Sequence, residues 1–184
     1  MLGGFIWDWC DQGIARLLPN GRMQMAYGGD FGDQPNLKAF CMNGVIFADR
    51  SYGPKYDEVK RVYQPVYMQM TWFDGQECRL SLMNHNHHTG FELYEGAWRL
   101  AIDGRIAHEG DFALPNPKPG ESGLATVDLR QALSKYDIDE HDVRLNVEIR
   151  LKEDAPWAKR GHVVAHDQLM LRDRQLKVVQ RTIK

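Results

Sequence analysis

The residues of this chain best suited to chemistry crowd its first fifty positions. Gly3-Gly4-Phe5-Ile6-Trp7-Asp8-Trp9-Cys10-Asp11-Gln12 sets indole rings beside carboxylates. Tyr27-Gly28-Gly29-Asp30-Phe31-Gly32-Asp33 and Phe40-Cys41-Met42-Asn43-Gly44 follow with a similar mixture. An aromatic face suits the apolar C–H side of a pyranose, while carboxylates and amides bind its hydroxyls. Trp7, with Asp8 and Asp11 beside it, has that composition if it stands at the carboxyl end of a barrel strand. Spacing alone favours a plainer role. It makes Phe5, Trp7 and Trp9 core aromatics, and the glycines with Asp30 and Asp33 a tight surface loop.

The elements that must hold these residues fall into two stretches. In residues 1–63, Phe5-Ile6-Trp7 has the length of a short buried strand. A long loop with turn residues at Pro19-Asn20-Gly21 and Gln34-Pro35-Asn36 follows, then the apolar run Val45-Ile46-Phe47-Ala48. Loops of this length are usually functional or disordered. A helix is predicted over residues 56–63, with Tyr56, Val59, Val62 and Tyr63 on one face, Pro54 near its start and Pro65 beyond its end. From Val66 onward the pattern is strand-like. Runs at residues 66–73 and 79–83, and at 98–102 and 105–108, flank Asp74-Gly75 and Asp103-Gly104, the strongest short hairpin signal. Residues 126–129 lead into a helical turn over 130–136. Residues 143–151 alternate apolar and polar as a half-buried strand. Residues 163–166 and 169–171 supply a closing strand. About seven strands in about 110 residues predict an immunoglobulin-like β-sandwich. The expected division is 1–63 and 64–184.

Composition narrows the field. The chain has 184 residues, 23 Lys and Arg against 25 Asp and Glu, and net charge -2. That balance gives no electrostatic case for nucleic acid or an anionic membrane. No apolar run reaches the length of about 18 residues that a membrane span needs. Cys10, Cys41 and Cys78 are odd in number and widely spaced, so reduced thiols are expected and a thiolate zinc site is not.

The three N-terminal blocks resemble the last barrel strand and following loop of glycoside hydrolase family 2 β-galactosidases of the long bacterial type. Gly3 to Gln12 matches a GGF-[VI]-WDW-x-DQ pattern. Tyr27 to Asp33 matches YGGDFGD. Phe40 to Gly44, continuing as Val45-Ile46-Phe47-Ala48-Asp49-Arg50, matches FCMNG-[LV]-x-FADR. Leu37-Lys38-Ala39 departs from the more charged run of better-known members. The rest of the chain is similar to the family in layout more than in motif.

The resemblance implies a mainly β chain: the last strand, loop and helix of a (β/α)8 barrel, followed by the immunoglobulin-like sandwich. It implies that Trp7 stacks beneath a galactosyl ring. Asn43 would bond the galactose 6-hydroxyl and, with the backbone carbonyl of Phe40, help hold a sodium ion. The two catalytic glutamates and the magnesium ligands of the family lie on earlier segments. No catalytic residue is therefore expected in this chain, nor a tightly bound cofactor. The parent enzyme would hydrolyse terminal β-D-galactosyl residues, as in lactose, with retention. It is expected to be a homo-oligomer, cytoplasmic, with a periplasmic location as the alternative. Its partners would be β-galactosides, neither nucleic acid nor membrane. The competing class is a stand-alone carbohydrate-binding or structural interaction module. A concave aromatic strip on the sandwich would support that class, but Trp72, Trp98 and Trp157 show no common solvent-facing pattern in the sequence, and Trp98 within its strand reads as sandwich core.

His85, His87 and His88 form the other cluster of potential ligands. They sit where a strand end runs into a turn, so a solvated polar loop is expected. Calorimetric titration with nickel or zinc is expected to show no binding at this cluster. A stoichiometric isotherm lost on His85→Ala or His87→Ala would refute that.

Overall fold

The computed structural model describes residues 3–174. The chain forms two compact units, residues 1–63 and 64–184. The first carries the hairpin β1 (Ile14–Leu17) and β2 (Met23–Ala26), a 3-10 turn at Lys38–Cys41 and the helix α1 (Pro54–Val62). The second carries β3 (Val66–Phe73), β4 (Glu77–Asn84), β5 (Tyr94–Ile102), β6 (Arg105–Phe112), β7 (Ser122–Asp128), the short helix α2 (Arg130–Leu133), β8 (Val143–Leu151) and β9 (Val163–Arg172).

The second unit is the expected mainly β, two-sheet architecture. One sheet has the order β3-β4-β7 and the other β6-β5-β8-β9, with antiparallel neighbours throughout. β6, fourth of these strands in the chain, pairs with β5. In a constant-type immunoglobulin domain the fourth strand lies at the edge of the other sheet. Period-two burial drives this arrangement. Cys78, Leu80 and Leu82 of β4 and Val143, Leu145, Val147 and Ile149 of β8 are all fully buried. The residues between them point outward. Val66, Met68, Trp98, Leu100 and Val127 complete one cluster with them. Burying each large aliphatic side chain contributes about 1.5–3 kcal/mol.

The two Asp-Gly hairpins differ. Asp103 (φ 49°) and Gly104 (φ 78°) both take positive φ and join β5 to β6 in two residues, the turn that matches strand twist. At the other, only Gly75 is positive (φ 94°). Asp74 instead accepts hydrogen bonds at Oδ1 from the backbone N–H of Gln76 (2.9 Å) and Glu77 (2.8 Å), widening the loop to three residues. β7 begins earlier than its apolar run suggested, because it pairs along β4 from Ser122. β9 is one strand through Asp167 and Gln168, and α2 ends at Leu133.

Three polar side chains among the described residues of this unit are buried: Gln64, Asn84 and Glu148, the last on the outward face of β8. Asn84 is fully buried and satisfied. Its Nδ2 donates to the carbonyls of Thr89 (2.8 Å) and Pro117 (2.9 Å), and its Oδ1 accepts from the Asn86 backbone N–H (2.9 Å). Glu148 lies between the guanidinium groups of Arg99 and Arg150. Burial alone would push its carboxyl up, but the hydrogen bond and charge of Arg150, with Arg99 beside it, hold it below the usual carboxylate range.

Among the described residues, Trp72, Trp98 and Trp157 do not form an aromatic strip on the sandwich. Trp98 is core, Trp72 lies under the Arg79 guanidinium at 4.3 Å, and Trp157 stands 65% exposed with its ring edge-on to His162. His85, His87 and His88 are exposed. No helix among the described residues is long and apolar enough to cross a membrane.

Asn84→Ala strands two backbone carbonyls and is expected to destabilise the sandwich by about 1–3 kcal/mol in urea unfolding. Because Glu148 is held low, its contribution is present above the unfolded carboxylate pKa and disappears as pH falls through the folded value. Glu148→Gln should therefore flatten the acid limb of the stability–pH profile. An unchanged limb would show that Glu148 is not coupled to folding.

Candidate functional site

The chemistry-bearing blocks lie in the first unit, and backbone pairing brings the first and third together. Asp8 to Asp11 runs beside Asn43 to Ile46. The Val45 N–H donates to the Asp8 carbonyl (2.9 Å), Ile46 N–H to Trp9 (3.0 Å) and Asp11 N–H to Ile46 (3.0 Å). The Asp8 N–H donates to the Asn43 carbonyl at a longer 3.5 Å. Cys10 and Ile46 make an isolated parallel bridge. The short strand expected over Phe5-Ile6-Trp7 does not form. Pairing begins only at Asp8, since no other strand among the described residues offers Phe5 or Ile6 a ladder.

This overturns the core reading of the aromatics. Phe5 is 103% exposed and Trp7 78%. Trp9, half exposed, meets the Tyr56 ring edge-on at 6.2 Å, and Tyr56 packs on Tyr52 at 4.9 Å. The helix presents Tyr56 and Val59 half-buried, while Val62 and Tyr63 are exposed, so the apolar face is narrower than its sequence suggested.

The carboxylates serve the backbone. Trp9 N–H donates to Asp8 Oδ1 (2.6 Å), Tyr27 N–H to Asp30 (3.0 Å) and Gly29 N–H to Asp33 (2.9 Å). Ser51 N–H donates to Asp49 (2.9 Å), and its hydroxyl, with that amide, keeps the Asp49 carboxyl below the usual range. Asp11 is buried and accepts from Gly44 N–H at 2.6 Å. Short acidic side chains bonding nearby amides are turn formers. Asp8 and Asp11, whose composition suited hydroxyl binding, are both turned onto the chain itself.

Trp7 and Asn43, the residues the resemblance assigns to a sugar, stand exposed on neighbouring segments. Asn43 Nδ2 donates to the Phe40 carbonyl oxygen. Turning that amide over would present two oxygens at one point, the donor chemistry of a hard cation. Two oxygens are fewer than such a cation takes, so these residues fit a sodium ion as part of its shell. Among the described residues, no group of three His, Cys, Asp or Glu side chains could hold a metal.

The β1–β2 hairpin was hidden in the supposed loop. Its signal was Pro19-Asn20-Gly21 between two short runs, with Gly21 at φ 78°. It carries Arg16, which donates to the Asp30 carbonyl and lies 5.5 Å from the Phe31 ring, tying the hairpin to the second block. Gly28 in turn backs onto Lys38, where a Cβ would stand 3.0 Å from the backbone nitrogen. Lys55 of α1 donates to the Gly44 carbonyl.

Comparison with known proteins agrees with this geometry. Residues 1–68 match the TIM barrel domain of glycosyl hydrolases family 2, and residues 80–172 match domain 4 of β-galactosidase. A β-galactosidase of Priestia megaterium is 37% identical over 92% of this chain and 16% of its own length. One of Vibrio vulnificus is 35% identical over 93% of this chain, and one of Psychromonas ingrahamii 37% over 92%, each across 16% of the relative. Both matched domains are those of a glycoside hydrolase. Within that class, the chain belongs to the family 2 β-galactosidases, of whose curated members it spans about a sixth.

A Cβ on Gly44 would lie 2.1 Å from the Asp11 nitrogen and 2.4 Å from the Ile46 carbonyl oxygen. Gly44→Ala must therefore part the two segments, at an expected cost of about 1–3 kcal/mol or more. Hydrogen exchange at the Val45 and Ile46 amides should accelerate in that variant. Wild-type protection would show that the pairing does not depend on close approach.

Proposed function

We propose that this chain forms one wall of the galactose subsite of a retaining β-galactosidase, with its sandwich buttressing the barrel and joining it to the next domain. The observation that carries the reading is the pairing that sets exposed Trp7 and exposed Asn43 on adjacent segments. Trp7 stacks on the apolar face of the ring, and the Asn43 amide takes the 6-hydroxyl. Phe40 and Asn43 supply part of a sodium shell, which would neutralise lone-pair repulsion where their oxygens meet. Magnesium belongs to segments outside these residues.

The chain does not break the glycosidic bond in this reading. Retaining hydrolysis needs two carboxyl groups about 5 Å apart. Residues 1–63 contain one glutamate, Glu58, on α1. Their aspartates, apart from Asp57, are bonded to the backbone. Nucleophile and acid/base come from elsewhere in the enzyme. Free thiols at all three cysteines suit a cytoplasmic enzyme. The unpaired apolar run from Phe5 to Trp7 suits a chain that self-associates when isolated, and the enzyme is read as a homo-oligomer acting on β-galactosides such as lactose.

The purified 184-residue chain is expected to leave a chromogenic β-galactoside intact. In the full-length enzyme, Trp7→Ala should raise KM at least about tenfold, the equivalent of about 1.4 kcal/mol. Hydrolysis by the isolated chain, or a wild-type KM in the Trp7 variant, would defeat the reading.

A further inference from the structure

The first unit has one buried charged side chain among its described residues, Asp11, which is 7% exposed. An enclosed carboxylate is costly unless its oxygens are engaged. Asp11 Oδ1 accepts the Gly44 N–H at 2.6 Å, a short contact between a carboxylate and a backbone amide. Its own N–H donates to the Ile46 carbonyl at 3.0 Å. One residue therefore grips the opposite segment at two points, two positions apart. Gly44 lies flush against it, since a Cβ there would overlap the Asp11 nitrogen. The grip lies close along the chain to both exposed groups: Trp7 precedes Asp11 by four residues, and Asn43 immediately precedes Gly44.

Chain connectivity alone would not hold that spacing. Trp7 and Asn43 are separated by the β1–β2 hairpin, the glycine-rich second block and the 3-10 turn. The nearest backbone bond to Asn43 itself, from Asp8 N–H, is the longest of the pairing at 3.5 Å. The Asp11 bond to Gly44 is the shortest between the segments.

We propose that Asp11 is a positioning residue for the sugar wall. By holding the Gly44 N–H, its carboxylate fixes the Asn43 amide and the Phe40 carbonyl at a set distance from the Trp7 ring. Asp11 does not touch substrate; it acts through Gly44. This inference rests on the reading of Trp7 and Asn43 as sugar-binding groups, and the experiment separates the two.

In the full-length enzyme, Asp11→Ala removes the acceptor and Asp11→Asn keeps a weaker, neutral one. KM and the half-saturating sodium concentration are expected to rise about tenfold in the alanine variant and about threefold in the asparagine variant, with kcat within about twofold. A merely structural role gives another pattern: loss of folded enzyme lowers apparent kcat and leaves KM and the sodium requirement alone. Wild-type KM and sodium dependence in Asp11→Ala, or an asparagine variant no better than alanine, would overturn the proposal. If Asp11→Ala does not fold, the asparagine variant decides, and wild-type values there overturn it. In the 184-residue chain, Gly44 amide protection against hydrogen exchange should fall at least about tenfold in Asp11→Ala; unchanged protection refutes the grip. Failure of wild-type enzyme to hydrolyse any β-galactoside sinks the sugar reading instead, while the Gly44 measurement still judges the grip.

Discussion

The sandwich depends on removing one apolar layer from water between two sheets. β4 and β8 are its clearest expression, each burying every second side chain completely. A slip of one residue would exchange that layer for arginines, asparagine and glutamate. Register, sheet order and the outward ion pairs of β8 all follow from this single alternation. The enclosed Asn84 is tolerable because the backbone around it meets its hydrogen-bonding capacity.

The first unit is held together differently. It has little apolar core: Ala26 and Val45 are its buried hydrophobic residues among those described. In place of a core it uses backbone pairing between distant segments and aspartates that close loops onto nearby amides. Such an assembly leaves its large aromatics outside. Phe5, Trp7, Phe31 and Phe40 are all more than half exposed, an arrangement expected of a surface that meets ligand or protein.

That contrast bears on function. A segment without a core obtains fixation of its exposed groups from hydrogen bonds and close backbone approach. Gly44 and Asp11 provide both at one place.

Much of the sandwich was legible in the sequence, since period-two alternation and Asp-Gly turns are local signals that burial reinforces. β3 and β8 fall where the alternation put them, whereas the start of β7 was set by its partner strand. In the first unit, order and spacing of the three blocks carried the family resemblance, which the match of residues 1–68 to the family's barrel domain bears out. What they do individually was decided by tertiary structure. By spacing alone Phe5 and Trp7 looked like core, while Asp8 and Asp11 had the composition of hydroxyl binders. In the fold both rings are exposed and both carboxylates bond backbone amides, because an aspartate bonds whichever amide the chain brings to it, and a ring is buried only where a neighbour covers it. Sequence by itself determined which family the three blocks resemble; only the parallel approach of residues 43–46 to residues 8–11 decided which of their side chains stand exposed and which bond the backbone.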